Sequence, residues 1–359
     1  MEKVTSNVKI NQLLNFFTQM FLNMNYAFKE VYLNRYNPSV FYKKEDEKFT
    51  NIDVAFQKIL QNNLKKHYKN VLFIGEENVD INIDKVFEFN KNIEYSFLTS
   101  IADEKIIVDL FNQDIVKNSE FDYLEQELCI YCDPIDSTSS LIKKDYSPVT
   151  SLIGITVKGK PILGFIHYFA YEGKLPKTFL NIPNKGIYSI DYHDSYDDLQ
   201  NNYSLHSNSK NKLFYDSENK KLIYANFKIS LDKIDVKKSD KMDFVITATR
   251  ENTKMTQVMN MYPDYKTIRV SGLGNKCVVS LLKDYFYFSP SKGLGLWDVC
   301  GPHAIIKEAG GNILYVDGEE VFYEESLTEV TLQKSVCMST CKRKLSIFVE
   351  KLKENNIKL

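Results

Sequence analysis

One short turn constrains this chain more than any other stretch. The apolar run Cys129-Ile130-Tyr131-Cys132 leads straight into Asp133-Pro134-Ile135-Asp136-Ser137-Thr138. A short apolar run of this kind reads as a buried strand, so the strand must end in a bend that carries two acids and two hydroxyls. Such a bend aims both carboxylates and the Ile135 carbonyl into one small volume. Hard divalent cations such as Mg²⁺ take all-oxygen sets of that type. The amides of Ser137 and Thr138 then open a helix, and a helix N-terminus is a ready site for phosphate. Carboxylates that hold metal beside a phosphate cradle are the parts needed for metal-assisted hydrolysis of a phosphate ester.

Three further elements stand in order along the chain: Thr50-Asn51-Ile52-Asp53, Ile74-Gly75-Glu76-Glu77 and Trp297-Asp298. Any one of them is weak evidence, because Asp-Pro-x-Asp turns and capping acids are common in loops. Together with Asp133–Thr138 they resemble the signatures of the lithium-sensitive, magnesium-dependent phosphatases. That superfamily includes inositol monophosphatase, inositol polyphosphate 1-phosphatase, 3′(2′),5′-bisphosphate nucleotidase and, more distantly, fructose-1,6-bisphosphatase. The similarity runs from about Phe49 to Asp317.

The resemblance implies a role for each position. Asp133 bridges two cations, Glu76 and the Ile135 carbonyl complete the first site, and Asp136 with Asp298 holds the second. Two or three Mg²⁺ are implied per active site. Thr138 pairs with the attacking water, with Glu76 and Asp53 as catalytic partners, while Glu77 and Asp53 shape a weaker third cation site or orient the water. Each residue also has a plainer reading. Asp53 and Thr138 suit helix N-caps, Asp298 complements a helix dipole, and Glu77 serves equally as a structural acid. His303 falls inside an expected helix and reads as a packing or surface residue rather than a general base.

Substrate contacts are expected at Ser137, Thr138, Arg250, Lys276 and Lys292. Ser137 stands where many relatives carry glycine and is similar to the D-P-I-D-S-T form of inositol polyphosphate 1-phosphatase. Ser271-Gly272-Leu273-Gly274-Asn275-Lys276 resembles the G-x-G-[NY]-K element of both bisphosphate branches, where Lys276 meets the phosphate that is not cleaved. Lys292 lies in the glycine-bearing loop before Asp298. The long interval between Glu76 and Asp133 also favours the bisphosphate branches. The leading expectation is removal of the 1-phosphate of inositol polyphosphates such as inositol 1,4-bisphosphate. The rival is a nucleotidase acting on adenosine 3′,5′-bisphosphate, supported by Gly274-Asn275-Lys276 but weakened by Glu251-Asn252 after Arg250, where nucleotidases commonly carry Ser-His. A catalytically inactive phosphate-binding scaffold is the non-enzyme alternative. Its mark would be a broken ligand set, and no position is broken.

The pattern of elements reads as α/β (α+β) packing in layers. Residues 8–33 and Asp53–Tyr68 have helical spacing, and Val71–Ile74 reads as a strand delivering Glu76. Thr150–Val157 and Ile162–Tyr168 read as a hairpin through Lys158-Gly159-Lys160-Pro161. Phe244–Ala248, Thr267–Val270, Tyr285–Phe288, Ile313–Val316 and Ser335–Met338 read as strands, and a helix is expected from Gly301 to Ala309. Residues 78–120 and the polar tract 190–221 read as insertions. The resemblance adds an α–β–α–β–α sandwich of the inositol monophosphatase / fructose-1,6-bisphosphatase type. Its active site lies between two subdomains. The N-terminal one, residues 1–240, carries Glu76, Asp133 and Asp136, and the C-terminal one, residues 241–359, carries Asp298.

The chain has 359 residues, enough for a large core, and a formal net charge of −1. No global field therefore favours nucleic acid or an anionic membrane, and a small phosphate ester is the expected partner. No run approaches the ~18 apolar residues that span a bilayer, and no secretory leader is evident, so a cytoplasmic location is expected. The six cysteines, Cys129, Cys132, Cys277, Cys300, Cys337 and Cys341, include spacings compatible with zinc. Buried reduced thiols in apolar strands account for them more simply. Oligomeric state is left open.

Overall fold

The structure is a computed structural model that describes residues 7–33, 37–43, 47–77, 122–192, 213–216, 221–224, 229–239, 241–247, 253–262, 264–290, 292–323 and 330–357. The expected insertion 78–120 and most of the 190–221 tract lie outside these residues, as does Arg250.

The first long element is α1 (Ile10–Tyr32). Its apolar residues run around most of the helix, and a helix of that composition must be covered on most sides. Phe17, Phe21 and Phe28 pack on strand residues: Phe17 on Phe165 at 5.3 Å, Phe21 stacked on His167 at 4.4 Å, and Phe28 stacked on Phe169 at 4.4 Å. Small pairs flank it, β1 (Asn7–Lys9) with β5 (Asp122–Leu124) and β2 (Val40–Tyr42) with β3 (Lys48–Thr50). Next comes α2 (Asn51–His67), capped by Thr50, whose hydroxyl accepts from the Ile52 N–H. The expected start at Asp53 is thus moved back, and Asp53 becomes the third helical residue, closing a capping box.

The large sheet has the spatial order β13 (Ile229–Lys233), β10 (Gly186–Tyr192), β9 (Leu175–Ile182), β8 (Lys160–Tyr171), β7 (Thr150–Val157), β6 (Leu128–Asp136), β4 (Leu72–Gly75). Only β4 and β6 run parallel within it; the other pairs are antiparallel. The β7–β8 hairpin is as expected but tighter, turning on Lys158 (φ 49°) and Gly159 (φ 73°). Two residues in the left-handed region suit the twist of a two-residue hairpin. A separate pair, β11 (Leu213–Asp216) and β12 (Lys221–Tyr224), stands apart from the sheet.

A second sheet has the order β15 (Thr267–Val270), β14 (Phe244–Thr247), β16 (Phe286–Ser289), β18 (Val336–Ser339), β17 (Asn312–Tyr315). These strands fall within a residue or two of their expected positions. The helices are α3 (Thr138–Ile142), α4 (Thr253–Asn260), α5 (Leu273–Lys283), α6 (Leu296–Glu308) and α7 (Lys342–Glu354). Three of these were not anticipated from the spacing, α4, α5 and α7. The helix expected from Gly301 begins earlier, at Leu296, with Pro302 inside it.

Close packing of α6 on the sheet depends on three glycines. A Cβ on Gly154 would meet the Gly301 nitrogen at 2.4 Å, and one on Gly164 would fall against the Gly301 carbonyl. Gly154 and Gly164 are cross-strand partners on β7 and β8. The helix backbone therefore rests directly on the sheet, which fixes where its first turn ends up. No helix among the described residues is long and apolar enough to cross a membrane.

Candidate active site

Three structural devices bring the acids together. Parallel pairing places Gly75 opposite Cys132, so Glu76 and Asp133 leave adjacent strand ends side by side. A register shift between Asp133 and Asp136 interrupts the β6–β7 ladder, and such an irregularity re-aims side chains. The glycine contact seats α6 so that Asp298, in its first turn, faces the same point. There Asp298 Oδ2 accepts from the Gly295 N–H at 2.8 Å.

Ligand oxygens of Glu76, Asp133 and Asp298 all lie within 4.8 Å of one another, the group among the described residues with metal-holding geometry. Burial, then the charges of Glu76, Asp298 and Asp136, holds the Asp133 carboxyl well above the usual carboxylate range. Burial, then Glu76 and Asp136, does the same to Asp298. Like charges this close cannot all remain ionised unless cations join them. The donor set is all oxygen and anionic, so it fits a hard divalent cation.

Asp136 lies just outside this tightest group. Its Oδ2 accepts from the Gly274 N–H at 2.8 Å and from the Thr150 hydroxyl at 3.2 Å. Burial raises its pKa against the opposing pull of Lys276. A Cβ on Gly272 would meet Asp136 Oδ2 and Ser137 Oγ at 2.8 Å, and Gly272 has φ +76°. Both the contact and the φ call for glycine there. The Gly272–Lys276 element thus docks its backbone onto the acidic turn.

Thr138 sits at the start of α3. Its hydroxyl is 2.9 Å from Asp53 Oδ1 and 3.0 Å from the Ile135 carbonyl, and it has one proton to give. The other Asp53 oxygen accepts from the Thr50 N–H at 2.9 Å and from the Thr50 hydroxyl. Burial lifts Asp53 to about 6, against the Thr50 and Thr138 bonds. The N-cap expected as the plainer reading of Asp53 is Thr50 instead, with Asp53 closing the capping box as the third helical residue while its other oxygen meets Thr138. Ser137, the residue before α3, has φ 74° and ψ 41°, a left-handed conformation that glycine adopts more cheaply.

Several residues went unnoticed in the sequence. Lys43 bonds Glu76 and Glu77 together, 2.8 Å to each. Burial lowers the pKa of Lys43, but the two glutamates outweigh that and hold its ammonium above the ordinary range. Glu77 is pushed up to about 8 by burial and by Glu76, against Lys43. Gln57 clamps Glu77 from α2, accepting from the Glu77 N–H at 2.8 Å and donating to the Glu77 carbonyl. Thr150, whose hydroxyl donates to Asp136, is the third such partner. Lys43 belongs to the mixed run Lys43–Lys48, which looks like an ordinary solvated loop. Gln57 offered a faint signal, one turn after Asp53 on the same helix face.

Lys276 is 5% exposed. Burial lowers its pKa below the ordinary range, against the charges of Asp136 and Asp298, and its ammonium lies over the Tyr287 ring at 5.5 Å. Lys292 is exposed on the loop before α6. His303 is enclosed between the Tyr323 hydroxyl (3.0 Å) and Asn312 Oδ1 (2.6 Å), a packing residue as expected. The six cysteines are free thiols, Cys341 alone partly exposed.

The family model described as "Inositol monophosphatase family" matches residues 19–344. A 3′(2′),5′-bisphosphate nucleotidase 1 of Dictyostelium discoideum is 25% identical over 288 residues, covering 78% of this chain and 78% of its own. The human protein of that name is 25% identical over 250 residues, covering 64% of this chain and 68% of its own. In fold, the chain is similar to inositol monophosphatase-II from Staphylococcus aureus. That structure has a TM-score of 0.55 and 14% identity, over 96% of each chain.

Proposed function

The chain belongs to the inositol monophosphatase family and is a metal-dependent phosphatase, and from that premise we propose that it removes one phosphate from a nucleoside 3′(2′),5′-bisphosphate. The observation that carries this reading is the docking of Gly272–Lys276 onto the acidic turn through the Gly274 N–H and Asp136. That element brings a buried lysine and a glycine-lined backbone next to the carboxylates, which supports a role for it in meeting a second phosphate. The names of the relatives matched over most of their length support the same substrate class.

Glu76, Asp133, Asp136, Asp298 and the Ile135 carbonyl would hold two Mg²⁺, with Glu77 and Asp53 at a third site. Bound there, the cations would supply a nucleophilic water and neutralise charge on the departing ester oxygen. The chain's own groups do the rest. With its proton given to Asp53 Oδ1, the Thr138 hydroxyl presents lone pairs that accept from the attacking water. Asp53, held on its other oxygen by Thr50, keeps that hydroxyl in one orientation. Lys43 and Lys276 carry positive charge to different members of the acid cluster, to Glu76 and Glu77 in one case and to Asp136 and Asp298 in the other.

A second reading, release of the 1-phosphate of inositol 1,4-bisphosphate, draws support from one observation, the left-handed Ser137 in place of glycine. The two are separated by measuring Mg²⁺-dependent phosphate release from adenosine 3′,5′-bisphosphate and inositol 1,4-bisphosphate side by side. The expected outcome is a higher kcat/KM for the nucleotide. The reverse preference would transfer the activity to the inositol ester and leave the metal chemistry intact.

A further inference from the structure

The large apolar side chains that remain exposed among the described residues are Val40, Phe41, Tyr42, Tyr265, Phe322 and Ile347. Single exposed apolar residues are ordinary. Three in a row are not, and Val40, Phe41 and Tyr42 make up β2, the strand that runs directly into Lys43.

The hairpin ties this strand to the carboxylates. Its register sets Phe41 opposite Phe49, and the two rings stack at 5.3 Å with 27° between planes. The Lys43 ammonium lies over the Phe49 ring at 5.6 Å, and the same ammonium bonds Glu76 and Glu77. Ring, ring, ammonium and metal-binding acid thus form one unbroken series of contacts. Within it Phe49 is 4% exposed while Phe41 is 40% exposed. Phe41 is therefore backed by a fixed ring and still open to ligand. Tyr42 turns to the opposite face, as strand alternation requires, and carries Lys48 over its ring at 5.6 Å.

We propose that Phe41 is the stacking surface for the base of the substrate, and so a residue that determines specificity for a nucleoside ester over a cyclitol ester. The inference rests on the nucleotidase reading given above and deepens it. Carboxylates, cations and lysines recognise the phosphate and are indifferent to what it is attached to. Discrimination needs a contact that one leaving group makes and the other lacks. Every nucleobase has a π-face, whereas a polyhydroxylated cyclohexane ring has none. Such stacking tolerates any base, so guanosine and adenosine bisphosphates should be used comparably. The placement also explains an aromatic side chain kept exposed on a short hairpin, where β2 and β3 bury only one of the two rings.

The test compares wild type, Phe41→Ala and Phe41→Trp on adenosine 3′,5′-bisphosphate and inositol 1,4-bisphosphate, with kcat and KM measured separately. Loss of a stacked base lowers binding by about tenfold or more. Phe41→Ala is thus expected to raise the nucleotide KM by about tenfold, and to lower the nucleotide-to-inositol ratio of kcat/KM by a similar factor. Phe41→Trp should restore both, and its indole fluorescence should be quenched by adenosine 5′-monophosphate but not by inorganic phosphate. An equal loss on both substrates, or an unchanged nucleotide KM in Phe41→Ala, overturns the inference while the nucleotidase reading stands. No hydrolysis of the nucleotide by wild type overturns that reading and the inference with it.

Discussion

Two buried acidic centres in this protein are built on opposite plans. Asp284, at the C-terminal end of α5, is 3% exposed and has a donor for each of its oxygens. It accepts from the Thr340 hydroxyl at 2.8 Å and the Lys344 ammonium at 2.6 Å, and from the Ser239 N–H. Lys344 also donates to the Asp284 carbonyl at 3.2 Å. The other centre crowds Glu76, Asp133 and Asp298 against one another. There Asp133 has one backbone donor, the Ile135 N–H at 3.0 Å, and its nearest charges are acids. A closed ion pair holds the end of α5 to α7. An open set of acids repels itself until a cation joins it, and that repulsion is what gives it affinity for a divalent ion. Burial alone therefore does not tell a functional acid from a structural one; the identity of its neighbours does.

The comparison can be broken most directly at the open centre. Asp133→Asn or Asp298→Asn is expected to lower turnover by about two to three orders of magnitude, since each removes a ligand whose interactions matter in the transition state. The melting temperature of the same variants in chelator should hold or rise, because a carboxyl that the metal-free fold can keep only by protonating it has been removed. A large fall in that temperature would assign these acids to the scaffold.

At the closed centre the expectation inverts. Lys344→Met leaves a buried carboxylate unpaired and should cost about 3–5 kcal/mol of stability, read by urea unfolding, with kcat per folded molecule kept. Adding Asp284→Leu to it should recover some of the loss, since an apolar pair of similar volume tolerates the site. A double variant no better than the single one would mean that the Ser239 and Thr340 bonds to Asp284 dominate.

Acid supplies the smallest and most diagnostic contrast. His167 is held neutral between Asn25 Oδ1 and Thr178 Oγ1, 2.8 Å each, and burial lowers its pKa to about 3. His303 is lowered to about 4, again chiefly by burial. Unfolded histidine titrates near 6.5, so the unfolded chain takes up these protons first. The stability they contribute is complete above about pH 6.5 and drains away as pH falls toward the folded values, by about 1.4 kcal/mol per unit for each ring. Glu77 and Asp53 act with the opposite sign. Their raised values, about 8 and about 6, mean that protonation on acidification stabilises the folded chain. His167→Gln should therefore flatten the loss of stability between about pH 6.5 and about pH 5, by about 2 kcal/mol at the lower end. An unchanged slope would show that His167 takes up its proton in the folded protein as readily as in the unfolded chain.

Much of the framework was legible because it is written in local pattern. The β7–β8 hairpin shows in two alternating runs and a Lys-Gly turn, and α1 in its periodic aromatics. The strands of the second sheet show as short apolar runs between polar breaks. The helices that escaped notice have ordinary reasons. The α5 helix opens on Ser271-Gly272-Leu273-Gly274, which reads as a flexible loop, and α6 was expected but started too late, because Gly301-Pro302 reads as a helix beginning, where proline is most at home. The glycines there are used for contact with β7 and β8, and no local rule reveals a partner that lies more than a hundred residues away in the chain.

The amino-acid sequence by itself determined which candidate carboxylates, which hydroxyl and which strand-end turn to look at, because Asp133–Thr138, Glu76 and Asp298 sit in short segments whose pattern is local. Only the tertiary structure decided how those groups are managed. It set Asp53 to hold Thr138, bound Lys43 to Glu76 and Glu77, buried Lys276 within the field of Asp136 and Asp298, and left Phe41 open at the hairpin. Each of those outcomes depends on a distance between residues far apart in the chain. Electrostatic energy and contact follow distance in space, and the order of residues along the chain does not specify it until the sheet, the three glycines and α6 have closed together.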